Sequence, residues 1–144
     1  MHNDPNSPSA ATVSQVFVPP PGSVRIGPFM SIPKVLQQLG HDPRPALRRV
    51  GLSLKSMSNP DMIVPFANIG RLLSACAEVS GCPYFGLLVG QQVPTSALGV
   101  LGFTIQNAKN VDTALSNLIR YRGLHDRGSF ITLEREGALA RLQY

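Results

Sequence analysis

The stretch Ile131-Thr132-Leu133-Glu134-Arg135-Glu136-Gly137-Ala138-Leu139-Ala140-Arg141-Leu142-Gln143-Tyr144 decides the fold class, because here the apolar period drops to two. Glu136-Gly137 reads as a two-residue hairpin turn. It sets position 133 opposite 140, 131 opposite 142 and 129 opposite 144, gathering Ile131, Leu133, Ala140, Leu142 and Tyr144 on one face. Thr132, Glu134, Arg141 and Gln143 share the other face, with Phe130 and Leu139 as exceptions. A lone two-stranded ribbon is marginal in water, so the sheet is expected to continue, past Tyr144 or across an interface.

Upstream of the hairpin the period is helical. The clearest segment opens at Pro65, where Phe66, Ile69, Leu72, Leu73, Cys76 and Val79 recur at intervals of three and four before Gly81 stops the run. A first helix is expected from Ser31 as N-cap to Gly40 as stop, and a second from Asp42 to Gly51. Ile63-Val64 reads as extended, because Pro65 disfavours helix at the residue before it. Further helices are expected over 84–92, with a Gly86-xxx-Gly90 spacing suited to close helix packing, and over 98–108 and 111–122. Gly99 and Gly102 weaken the 98–108 helix, while Asn110 caps the one that follows.

Residues 1–30 hold six of the thirteen prolines and show no sustained period, which marks a flexible arm rather than core. Within it, the apolar Val16-Phe17-Val18 segment could lie across a domain or a partner. The rest of the 144 residues fit one domain, and 43% apolar content is enough for a real core. No run reaches the roughly eighteen apolar residues of a membrane span, and Met1 to Asn6 show no basic region followed by an apolar core. A soluble, cytoplasmic protein is expected, with Cys76 and Cys82 reduced.

Little in the sequence supports an enzyme. His2, His41 and His125 are scattered and the two cysteines lack a second pair, so neither a metal site nor a cofactor is expected. Cys76 falls on the buried stripe of a helix, and Ser96 and Ser129 lack a nucleophile's setting. Lys34, Arg44, Arg48, Arg49 and Lys55 stand against Asp42 alone and account for +4 of the net +5. This cluster reads either as a solvated helix surface or as a surface that steers towards nucleic acid or an acidic partner.

A ligand pocket is expected between the 98–108 helix, the 111–122 helix and the apolar hairpin face. Phe103 and Tyr121 supply walls, while Gln106, Arg120 and His125 supply orienting polar groups. A guanidinium buried there needs an anion, which an acidic effector would provide. The competing expectation pairs Arg120 internally with Asp112, Asp126 or Glu134.

The ordered set of motifs carries a resemblance. Ile32-Pro33-Lys34-Val35-Leu36-Gln37-Gln38-Leu39-Gly40 comes first, followed by Asp42-Pro43, Val50-Gly51-Leu52 and Val64-Pro65-Phe66. Then come Phe85-Gly86-Leu87-Leu88-Val89-Gly90, Leu98-Gly99-Val100-Leu101-Gly102, Ala114-Leu115, Arg120-Tyr121 and the hairpin. Together they resemble the N-terminal effector domain of AraC-type transcription regulators, in the subgroup labelled arabinose-binding. The likeness covers residues 31–144. It implies a bacterial regulator in which this chain senses a small organic effector and forms a homodimer, while DNA is read by helix-turn-helix units in a C-terminal part outside the chain. The domain itself is expected to continue past Tyr144. Because helices precede the hairpin, the expected fold is α+β, several short helices on an antiparallel sheet that includes the hairpin, and not a jelly roll. The alternative function is a ligand-free dimerisation or protein-interaction module, and direct nucleic-acid binding through the basic cluster is a second rival.

Overall fold

The apolar period of residues 66–80 is realised as α3 (Phe66–Ser80), which buries Ile69, Leu72, Ala75 and Cys76 on one face. Gly81 stops it in the left-handed region at φ 63°, where a side chain would be strained. The structure is a computed structural model that describes residues 18–137 and 139–144. In chain order it contains β1 (Ser23–Arg25), α1 (Ile32–Gln38), α2 (Arg44–Arg49), β2 (Ile63–Pro65), α3, α4 (Phe85–Gln91), α5 (Val100–Gln106), α6 (Val111–Tyr121), β3 (Thr132–Glu136) and β4 (Leu139–Gln143).

Most of the arm expected over 1–30, including Val16 and Phe17, lies outside the described residues, but its last part is folded. Ser23–Arg25 form β1, which pairs antiparallel with β2 so that Val24 faces Val64. Val24 and Ile26 are buried in the main core beside Ile32, Leu36, Leu47, Leu72 and Phe85. The folded body therefore begins before residue 31. Asp42 does not cap α2 at the position expected; Pro43 stands there, and the Asp42 carboxylate accepts instead from the Arg44 backbone N–H at 3.0 Å and from its Nε at 2.9 Å. Ser31 stands at the N-cap of α1 as expected, but its hydroxyl donates to the Val89 carbonyl at 3.4 Å and makes no capping bond to the helix.

The sheet differs from the single layer expected. Among the described residues there are two separate two-stranded antiparallel ribbons, β1-β2 inside the core and β3-β4 at residues 132–143. The hairpin register also moves by two residues, with Leu133 opposite Leu142 and Glu136 opposite Leu139. Primed two-residue turns need positive φ at their first central position, which glutamate resists; the structure puts Gly137 there, at φ 59°. A shift of two leaves the facial grouping intact, so Leu133 and Leu142 still share a face.

The two parts of the chain are stitched along β1. The Arg25 backbone N–H donates to the His125 carbonyl at 3.1 Å, Gly22 N–H to the Arg127 carbonyl at 2.9 Å, and Arg127 N–H to the Ser23 carbonyl at 2.9 Å. Residues 125–127 thus run along the free edge of β1 as a bridge-length strand, with Val24 opposite Asp126. Gly128 follows at a tight crossing, where a Cβ would lie 2.5 Å from the Phe66 Cβ.

Candidate functional site

Asn110 opens α6 as the sequence implies: its side-chain oxygen accepts from the Thr113 N–H at 2.8 Å. The helix is amphipathic, yet none of its residues is fully buried, because it packs on α5 on one side and meets β3 on the other while its ends stay open. α5 is held close to the preceding Thr95–Leu98 turn at Gly102, where an added Cβ would collide with the Thr95 carbonyl. By contrast Gly86 and Gly90 of α4 face open space, so their spacing does not serve packing among the described residues.

Two grooves meet on the outer side of α6. One, of about 450 Å³, runs between α6 and β3 and is lined by Ile119, Ile131 and Leu133 together with Ser116, Arg120, Thr132 and Arg135. The other, of about 360 Å³, is lined by Arg120, Arg122 and Arg127 with Ile119, Gly123, Ser129 and Phe130. Ile119 and Arg120 border both. The first groove is thus apolar with polar edges, and the second is cationic.

Arg120 is exposed rather than buried, and its guanidinium lies 5.5 Å from the centre of the Tyr121 ring. The acids that could have paired with it are engaged elsewhere. Asp112 pairs with Arg135, Glu134 with Arg141 at 3.7 Å, and Asp126 accepts from the Gly128 N–H at 2.7 Å and from the Ser129 hydroxyl. Arg122 donates to the Ser129 carbonyl at 2.9 Å and lies 5.5 Å from the centre of the Phe130 ring, while Arg127 donates to the Pro19 carbonyl at 3.4 Å. No carboxylate among the described residues forms an ion pair with any of these three arginines.

The other residues singled out from the sequence do not border these grooves. Phe103 and Gln106 are exposed on α5, and Tyr121 ends α6; none of the three lines either groove. His125 is buried at 6% exposure under the β1 seam, and its Nδ1 has no hydrogen-bond partner. Burial pushes the imidazole below its ordinary range; Asp126 pulls it back up, and Arg25 pushes it down again. Arg127 and Arg135 escaped the sequence reading, and Ile119, expected to face the core, borders both grooves. The signal for Arg127 was present as three arginines within eight residues, 120–127, against Asp126 alone. Arg135 joins the site only through the fold.

The basic cluster of the N-terminal half is partly neutralised by Asp42 on Arg44 and by Glu78, 3.5 Å from Arg49. Burial raises the Cys76 thiol to about 11, so it stays protonated and unreactive at neutral pH. No group of three or more His, Cys, Asp or Glu side chains able to hold a metal ion occurs among the described residues. No single helix among them is long and apolar enough to cross a membrane.

Comparison with known proteins adds a family. The family model described as the arabinose-binding domain of AraC transcription regulator, N-terminal, matches residues 40–144. The HTH-type transcriptional regulator VirS of Mycobacterium tuberculosis, from strains CDC 1551 / Oshkosh and ATCC 25618 / H37Rv, is 26% identical over 110 residues. That alignment covers 76% of this chain and 32% of the relative, so the chain spans about a third of the length of the curated relatives it matches.

Proposed function

The chain belongs to the family of N-terminal arabinose-binding domains of AraC transcription regulators, and from that premise we propose that it senses a small organic effector and pairs with a second copy of itself. In this reading it acts in the cytoplasm as a non-catalytic regulatory unit, and DNA is bound by helix-turn-helix units elsewhere in the regulator. The observation that supports the sensing role is the junction of an apolar and a cationic groove at Arg120, a surface whose charge no acid among the described residues neutralises. Phe103, Gln106, Tyr121 and His125, the other contacts expected from the sequence, line neither groove, and access to His125 requires the β1 seam to open. An effector transmits a signal only through different affinities for two arrangements of domain or dimer.

Thermal-shift and calorimetric screening of the 144-residue chain against metabolites tests this reading. An effector raises the melting temperature with concentration by mass action, and the chain by itself shows no operator affinity. The rival, a ligand-free interaction module, draws support from Leu139 at 74% exposure and Leu87 at 70%. It predicts self-association with no compound shifting the melting temperature. Tight, steeply salt-dependent DNA binding by the chain alone contradicts the sensing assignment.

A further inference from the structure

We propose that the two grooves form one site for a monocarboxylate with an apolar body, its carboxylate among Arg120, Arg122 and Arg127 and its body over Ile119, Ile131 and Leu133. This rests on the effector-sensing reading above and names the ligand class. Arg120, Arg122 and Arg127 all line the smaller groove, and none is ion-paired among the described residues. Three cationic residues along one groove give it a positive potential that favours an anion.

The larger groove supplies the complementary half. Ile119, Ile131 and Leu133 stay half-buried, leaving apolar surface in contact with water along a groove of about 450 Å³, a volume within the range of small-molecule sites. Arg135, also in its lining, is already neutralised by Asp112, which leaves Arg120 as the cation of this groove outside any ion pair among the described residues. A ligand that is charged at one end and apolar along its length satisfies both halves. Neither a neutral sugar nor a small inorganic anion does.

Guanidinium is suited to the head group because its planar fork donates two parallel hydrogen bonds to a carboxylate. Arg122 is held in place by its bond to the Ser129 carbonyl and by its contact with Phe130, which preorganises one of the three donors. Arg120 lies at the junction of the grooves, where head and body meet.

The test is calorimetric titration of the 144-residue chain with 4-phenylbutanoate, 4-phenylbutan-1-ol, acetate and L-arabinose at constant ionic strength. The acid binds at least about tenfold more tightly than the alcohol, which lacks the charge, and than acetate, which lacks the body. Arg120→Gln weakens the acid by about tenfold and leaves the alcohol unchanged, and Arg120→Lys restores part of the loss. Arg120 is exposed and outside any ion pair among the described residues, so unchanged melting of both variants shows that the fold is kept. Arg44→Gln, on the distant basic cluster, leaves all four affinities unchanged.

The inference is overturned if the alcohol or arabinose binds as well as the acid, if acetate matches it, or if Arg120→Gln has no effect. Non-acidic hits in the metabolite screen, together with weak phenylbutanoate binding, overturn this ligand class while leaving the sensing role standing. A screen in which no compound of any class binds removes both.

Discussion

The chain up to α4 and the chain after it are built to different standards of burial. The first part encloses Phe85, Ile26, Ile32, Leu36, Leu47 and Leu72 at less than 2% exposure, around α3 and the β1-β2 ribbon. In the second part Leu101 is the one hydrophobic side chain buried among the described residues, while Phe103, Val111, Phe130 and Tyr144 are exposed. Burial is what stabilises a fold, so the first part carries the stability. The second part keeps apolar and cationic surface available, as a recognition surface does.

The largest expected effect is therefore a contrast between two phenylalanines. Phe85→Ala removes a fully buried ring and costs about 3–5 kcal/mol, whereas Phe130→Ala, at 83% exposure, stays within about 0.5 kcal/mol of the parent. Urea denaturation of both variants measures it, and equal losses break the comparison.

Glycines give a smaller and sharper contrast. Gly102→Ala forces a methyl group into the Thr95 backbone carbonyl and costs about 1–3 kcal/mol. Gly86→Ala, in a helix and facing open space, raises stability by about 0.5–1 kcal/mol through higher helix propensity. The same denaturation curves read both signs. Gly102 shows that the second part of the chain is tightly built locally even where it buries little.

The smallest effect concerns the seam between the two parts. Burial lowers the His125 pKa in the fold, so the neutral imidazole stabilises the protein above the unfolded value of about 6.5, and that contribution is lost as pH falls through the folded value. Melting temperatures from pH 8 down to pH 5 should drop more steeply for the parent than for His125→Gln. Parallel curves would show that the imidazole does not titrate with folding.

How much of this was legible in the sequence depended on the range of the interaction concerned. α3 and α6 were readable because their stripes and stops are local: Ile69, Leu72 and Cys76 recur on one face, Gly81 ends the first and Asn110 caps the second. β1 was hidden because three residues among prolines and glycines have no period, and only pairing with β2 makes them a strand. The hairpin faces were readable but not the register, since both turn placements give the same alternation and only the positive φ of Gly137 separates them. At the candidate site Arg120 stood out from its position at a helix end. That Arg127 lines the same groove depends on the path of residues 125–127 along β1, which no local pattern encodes.

Amide hydrogen exchange of the 144-residue chain, free and saturated with 4-phenylbutanoate, tests the division of labour most directly. In the free protein α3 and the β1-β2 ribbon should exchange slowest, close to the limit set by global unfolding, and α6 and the β3-β4 hairpin much faster. Ligand should then slow exchange in α6, residues 122–130 and β3, leaving α1 to α4 as they were. Uniform slow exchange in the free chain, or ligand protection confined to α1 to α4, would contradict the account.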